Sequence, residues 1–261
     1  MPSLLFKAID RVFARQPDSE RAGWLSQWTF AHRGLHGDGL IENTLPAFQA
    51  AVDRGFGIEC DIQRSSDGKA MVFHDWDFGR LTGGEGSFGE RTETELTETH
   101  YLGQDFGISR LSDLLTLVAG RVPILVEIKS RPRFDVGRSC QAVRDCLQTY
   151  GGLHAVMSFD PRVARWFRKN SPETLAGLVM REDEHGHTQK AWQRKMALWL
   201  ARPEFLAYHI AALPSPMVSD LRHSGLPILT WTVSSQQLLE KANRFADAPI
   251  AEADGIPKIT A

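Results

Sequence analysis

Beyond residue 27 the chain alternates short apolar runs with amphipathic stretches, and nine of the runs predict strands. They are TFAHRG (29–34), IECDIQ (58–63), MVFHD (71–75), PILVEIK (123–129), AVMSF (155–159), TLAGLVM (174–180), EFLAYHI (204–210), PILTWTV (227–233) and APIAE (248–252). Helix signals lie between most of them. Asn43 and Thr44 offer side-chain oxygens as caps, Pro46 suits a first turn, Phe48 and Val52 share a face, and Gly55 can end the helix. Downstream, Ser112 is expected to start a helix carrying Leu114, Leu115 and Val118 before Gly120. Asp160-Pro161 starts one with Val163, Trp166 and Phe167, and Ser234 or Ser235 one with Leu238, Leu239 and Ala242.

Nine strands are one too many for a closed eight-stranded barrel. The Asp67-Gly68 pair between IECDIQRSS and KAMVFHD predicts a hairpin turn, which makes MVFHD an extra strand. The remaining eight alternate with helices in the βα order of a parallel sheet. The predicted fold is therefore α/β, a (β/α)8 TIM barrel over residues 28–261, preceded by a helical extension over 1–27. Residues 76–111, rich in Gly and Thr and without clear periodicity, read as a small insertion after the His-Asp strand. The stretch 181–203 reads as a charged helix and loop on the barrel's exterior.

The length of 261 residues suits one such barrel, which uses roughly 250. Thirty basic side chains against 32 acidic ones leave no surplus for phosphate backbones, so a nucleic-acid partner is not expected. Cys60, Cys140 and Cys146 have no metal-ligand spacing and an odd count for disulfides, which points to a reducing, cytoplasmic setting. No apolar run approaches the ~18 residues of a membrane span. In the first residues, Leu4, Leu5, Ile9, Val12 and Phe13 recur at helical spacing among Lys7, Arg11 and Arg15. That pattern lacks the unbroken apolar core of a secretory signal; it reads as an ordinary helix packed on the domain, with weak association with a membrane surface as the alternative.

Ionisable groups gather at the ends of the apolar runs, where solvation is costly. Glu59 and Asp61 are two residues apart in one predicted strand, so they share a face, and Glu127 and Lys129 repeat that spacing in another. A pair of strand-end salt bridges would account for Glu127 with Lys129. Glu59 and Asp61 have no adjacent basic residue, and three converging carboxylates suit a hard divalent ion such as Mg²⁺ or Ca²⁺. His32 with Arg33 ends the first run, and His74 with Asp75 ends the hairpin strand. A guanidinium beside a metal can hold a phosphate, and two histidines can serve as general acid and base. The other seven histidines read as structural. Metal-assisted phosphoryl chemistry follows as the leading class.

The segments AHRG (31–34), ENTLPAF (42–48), GIECDI (57–62), VFHD (72–75), RLTGGEG (80–86), VEIKS (126–130) and TWTV (230–233) together resemble the glycerophosphodiester phosphodiesterase family. The resemblance runs in order over roughly residues 29–260. It implies hydrolysis of glycerophosphodiesters to an alcohol and sn-glycerol 3-phosphate with one divalent cation. Carried over by motif, His32 and His74 take the acid and base roles, Glu59, Asp61 and Glu127 hold the metal, and Arg33 and Lys129 contact phosphate. Trp231 walls the glycerol pocket and Glu42 lies beside metal and substrate. Ile41 stands where many relatives have proline, and APIAEADGIP departs from the family's closing strand, so Glu252 and Asp254 are given no role. The order of proton transfers, the headgroup, and cyclic intermediate against direct water attack stay open. Two rival readings are a lysophospholipase D-like activity on lysophospholipids and a non-catalytic phosphate- or lipid-binding barrel.

Overall fold

The computed structural model describes residues 17–131 and 134–258. The apolar repeat over residues 4–13 lies outside them. Of the 1–27 extension, the described part holds one helical turn, Ser19–Ala22, and a 3-10 segment, Gly23–Gln27, which buries Trp24 and Leu25. The chain divides into two compact units, one made of the described residues up to His32 with those from Ala155 onward, the other of Arg33–His154.

In the first unit, β1 (Phe30–Ala31) pairs in parallel with β9 (Ala248–Ala251), Phe30 opposite Ile250. From β9 the parallel order continues through β8 (Ile228–Val233), β7 (Phe205–His209), β6 (Leu175–Met180) and β5 (His154–Ser158). Helices Pro161–Asn170, Ala191–Ala201, Pro216–His223 and Gln236–Phe245 fall between successive strands. Asp160 and Ser235 cap two of them, accepting from the backbone N–H of Arg162 and Leu238. β6 is buried along its whole length, as a parallel strand covered on both faces must be.

In the second unit, β2 (Gly57–Arg64) pairs in parallel with β4 (Ile124–Ile128) and antiparallel with β3 (Ala70–Val72). The β2–β4 register sets Asp61 directly opposite Glu127. Helix Leu45–Asp53 leads into β2, Leu111–Val118 into β4, and Val136–Leu147 follows β4. Eight parallel strands thus alternate with helices, and the fold is the expected (β/α)8 barrel, with β3 as the extra strand. Among the described residues no helix is long and apolar enough to cross a membrane.

Two local expectations change. The helix expected from Ser112 begins at Leu111, because the Asp113 carboxylate accepts from the Arg110 N–H and does the capping. Thr44 caps Leu45–Asp53, while the Asn43 side chain is drawn away to Asp61. The stretch 76–111 has a core of its own. Phe73, Phe78, Phe88, Leu96, Tyr101 and Ile108 bury together with Met71, and the rings of Phe73 and Phe88 stack at 5.2 Å. Its helical pieces, Gly79–Thr82, Phe88–Glu90 and Glu93–Thr97, are a turn or so each, too short to write a period into the sequence.

Candidate active site

Strand alternation places Glu59 and Asp61 on one face of β2, and the register brings Glu127 beside Asp61. One oxygen from each of the three carboxylates lies within 4.8 Å of the others, and all three residues are buried. Like charges at that spacing raise one another's pKa. Burial, then Asp61 and Glu127, push the Glu59 carboxyl well above the ordinary carboxylate range, against the pull of Arg33. Asp61 goes the other way. Burial is the largest single influence and acts upward, but Lys129, Arg33 and His74 together hold its carboxyl far below the usual value.

The cations are positioned by short-range geometry. Lys129 Nζ lies 3.3 Å from Asp61 Oδ1 and 3.5 Å from Glu127 Oε1. Arg33 donates its backbone N–H to Glu59 (3.0 Å) and Nη1 to Glu42 (2.7 Å), and its Nε sits 3.2 Å from Asp61 Oδ2. Arg33 occupies the left-handed region, φ 55°, a conformation that persists only where its surroundings enforce it. The next residue, Gly34 at φ 81°, packs so closely on helix Leu45–Asp53 that a Cβ would meet Phe48 Cδ1 at 2.9 Å. Asn43, also left-handed, donates Nδ2 to Asp61 (2.9 Å) and accepts from the Asp61 N–H (3.1 Å).

His74 follows β3, and its Nδ1 lies 2.7 Å from Asp75 Oδ1. Arg80, on the short helix of the insertion, forks onto Asp75 (2.7 and 3.0 Å) and onto Glu42 (2.9 and 2.8 Å). Arg80 therefore joins the carboxylate that supports His74 to the one that holds Arg33. Glu42 is engaged by two guanidinium groups.

Counting fixed charges tests whether a cation fits. Five carboxylates (Glu42, Glu59, Asp61, Asp75 and Glu127) face three fixed cations (Arg33, Arg80 and Lys129), a deficit of two positive charges. An all-oxygen set at close range with that deficit fits one hard divalent ion. Glu59, Asp61 and Glu127 are the residues that would hold it.

In the first unit, His32 directly follows β1 and donates its backbone N–H to Ala251 O (2.8 Å), at the end of β9. Its Nδ1 lies 2.6 Å from Glu252 Oε2. Trp231 sits in β8 with its indole N–H on Ala207 O (3.1 Å), its ring edge-on to Phe159 and 4.7 Å from His209. Arg181 lies over the same ring at 5.5 Å, and Asp183 is 3.6 Å from His209 Nδ1. The start of the 181–203 stretch thus packs on Trp231 and is not confined to the exterior.

Sequence reasoning missed Glu252, Arg80 and Asn43. Arg80 lies in the RLTGGEG segment without a role of its own, and Asn43, expected as a helix cap, gave no sign of its bond to Asp61. Glu252 sat in a segment that departs from the family pattern.

Residues 32–255 match the family described as the glycerophosphoryl diester phosphodiesterase family. A glycerophosphodiester phosphodiesterase from Caldanaerobacter subterraneus is 28% identical over 221 residues, 81% of this chain and 87% of that protein. Human glycerophosphodiester phosphodiesterase 1 is 28% identical over 65% of this chain and 54% of its own length. Among solved structures, a glycerophosphodiester phosphodiesterase from Thermotoga maritima superposes with a TM-score of 0.69 at 27% identity, covering 85% of this chain and 93% of that one. A phosphodiesterase from Oleispira antarctica, solved with the product sn-glycerol 3-phosphate, reaches 0.75 at 23% identity over 86% and 92%. With the motif residues standing in the order and the barrel the family requires, this chain is an enzyme that belongs to the glycerophosphoryl diester phosphodiesterase family.

Proposed function

We propose that this enzyme hydrolyses glycerophosphodiesters to an alcohol and sn-glycerol 3-phosphate, with one divalent cation, and that His32 and His74 carry the protons. The observation that supports the reading best is the buried trio Glu59, Asp61 and Glu127, in a cluster of five carboxylates two positive charges short of balance, with Arg33 and Lys129 at its edge. The Oleispira protein's bound sn-glycerol 3-phosphate is the product this reading expects.

Arg33 and Lys129 bind the phosphate oxygens and offset charge that builds on them as the ester is displaced. A bound Mg²⁺ or Ca²⁺ would supply further charge neutralisation at the same oxygens. Each histidine has a carboxylate on Nδ1, Glu252 for His32 and Asp75 for His74, which holds Nδ1 protonated and leaves Nε2 as the proton-exchanging atom. One ring takes the proton of the attacking oxygen and the other gives a proton to the departing alcohol. Asp75 is itself held by Arg80, so the ring it orients is fixed from the insertion.

The test is turnover of glycerophosphocholine by chelator-treated protein, resupplied separately with Mg²⁺, Ca²⁺ and Mn²⁺. The expected result is metal-dependent release of glycerol 3-phosphate. Release of lysophosphatidic acid from lysophosphatidylcholine, with glycerophosphocholine untouched, would replace this reading by the lysophospholipase D one. Full activity in chelator would remove the metal.

A further inference from the structure

Just past the ends of β4 and β3 stand two side chains with no part in the site described above. Glu127 and Lys129 are followed two residues on by Arg131, and His74 is followed two residues on by Trp76. The two side chains meet: the Arg131 guanidinium carbon lies 3.6 Å from the centroid of the Trp76 ring, and Trp76 in turn is edge-on to Phe134 at 5.5 Å. A guanidinium stacked face to face on indole is held rigid, while its N–H groups point outward in the plane of the fork. Among the described residues those N–H groups make no hydrogen bond and no ion pair. Burial lowers the Arg131 pKa, and the charge of Asp77 acts against that shift.

We propose that Arg131, braced on Trp76, binds a carboxylate on the alcohol arm of the substrate, so that the enzyme prefers glycerophosphodiesters whose alcohol is a carboxylate-bearing one. Arg131 stands two residues beyond Lys129, which the phosphodiesterase reading puts at the phosphate, so a headgroup attached to that phosphate is the part of the substrate the fork would meet. The planar fork matches a carboxylate in bidentate fashion. Asp77 reduces the local positive charge, which favours a monoanion over a dianionic phosphate.

The inference rests on the phosphodiesterase reading, and two readouts separate their failures. Glycerophosphoserine and glycerophosphoethanolamine differ by one carboxylate, and so do the phosphomonoesters phosphoserine and phosphoethanolamine. In the wild type, kcat/KM should favour glycerophosphoserine at least about tenfold, and calorimetric titration of the Mg²⁺-loaded full chain should show phosphoserine binding tighter than phosphoethanolamine by a similar factor. Arg131→Met, which keeps length over the indole but removes the fork, should bring both ratios close to one. Because ratios are compared, a loss of folded protein cancels. A wild-type binding ratio near one, a ratio that survives Arg131→Met, or absence of binding by either monoester overturns the proposal. Absence of all diester turnover with the binding ratio intact overturns the phosphodiesterase reading alone.

Discussion

His32 Nδ1 lies 2.6 Å from a carboxylate oxygen of Glu252, 220 positions further along the chain. The β1–β9 register makes the contact, since Ala31 stands opposite Ala251 and each partner is the residue that follows its strand. A histidine that exchanges protons needs its tautomer fixed, and this carboxylate does that. Glu252→Gln should therefore lower kcat by about 10²- to 10⁴-fold with little change in KM. Steady-state kinetics on glycerophosphocholine measure it, and a kcat within twofold of wild type would deprive Glu252 of the role.

Gly255 holds that carboxylate's turn. Its N–H donates to Glu252 O at 2.9 Å, and a Cβ built on it would meet Val233 O at 1.9 Å, a backbone atom that has nowhere to go. Gly255→Ala should cost about 1–3 kcal/mol of stability through overpacking. It should also depress activity by displacing Glu252. Thermal unfolding alongside kcat tests both halves.

The buried carboxylates make metal affinity separable from catalysis. Glu59→Gln removes one of the three charges, so affinity for Mg²⁺ should fall about 10- to 100-fold and saturating metal should restore part of the rate. Replacing His74 by Ala should instead reduce the rate about 10²- to 10⁴-fold at unchanged metal affinity. Metal titrations of the two variants should look unlike each other, and identical titrations would contradict the division of labour.

Arg80 links activity to pH-dependent stability. Glu42 and Asp75 both have carboxyl pKa values below their ordinary range; burial acts upward on each and is outweighed chiefly by hydrogen bonds from Arg80, with Arg33 and His74 adding to Glu42 and Asp75 respectively. A carboxyl with a depressed folded-state pKa stabilises the fold above its unfolded pKa, near 4, and loses that contribution as pH falls through the folded value. Arg80→Ala should thus lower stability at pH 7, by about 1 kcal/mol given the half-exposed guanidinium. The gap from wild type should close as pH drops below about 4. Denaturant midpoints at pH 7, 5 and 3 check the direction.

Much of this was written locally. Period-two alternation fixed which face of β2 carries Glu59 and Asp61, the Asp67-Gly68 turn identified β3 as the supernumerary strand, and the strand and helix order specified the barrel. These follow from backbone geometry that repeats every two or 3.6 residues, which a linear chain displays directly.

What the chain alone could not display is pairing at long range. The identity of Glu252 as the partner of His32, of Asn43 as a ligand of Asp61 in place of a helix cap, and of Arg80 as the bridge between Glu42 and Asp75 depends on register and on side-chain reach across the fold. The insertion's aromatic core is the same case, because turns of three to five residues bury side chains without any period. The sequence by itself determined the barrel and the ionisable groups at the ends of its strands. Tertiary structure decided that Glu252 stands behind His32 and how far the cations fall short of the acids, because both depend on register and on which side chains the fold brings within reach.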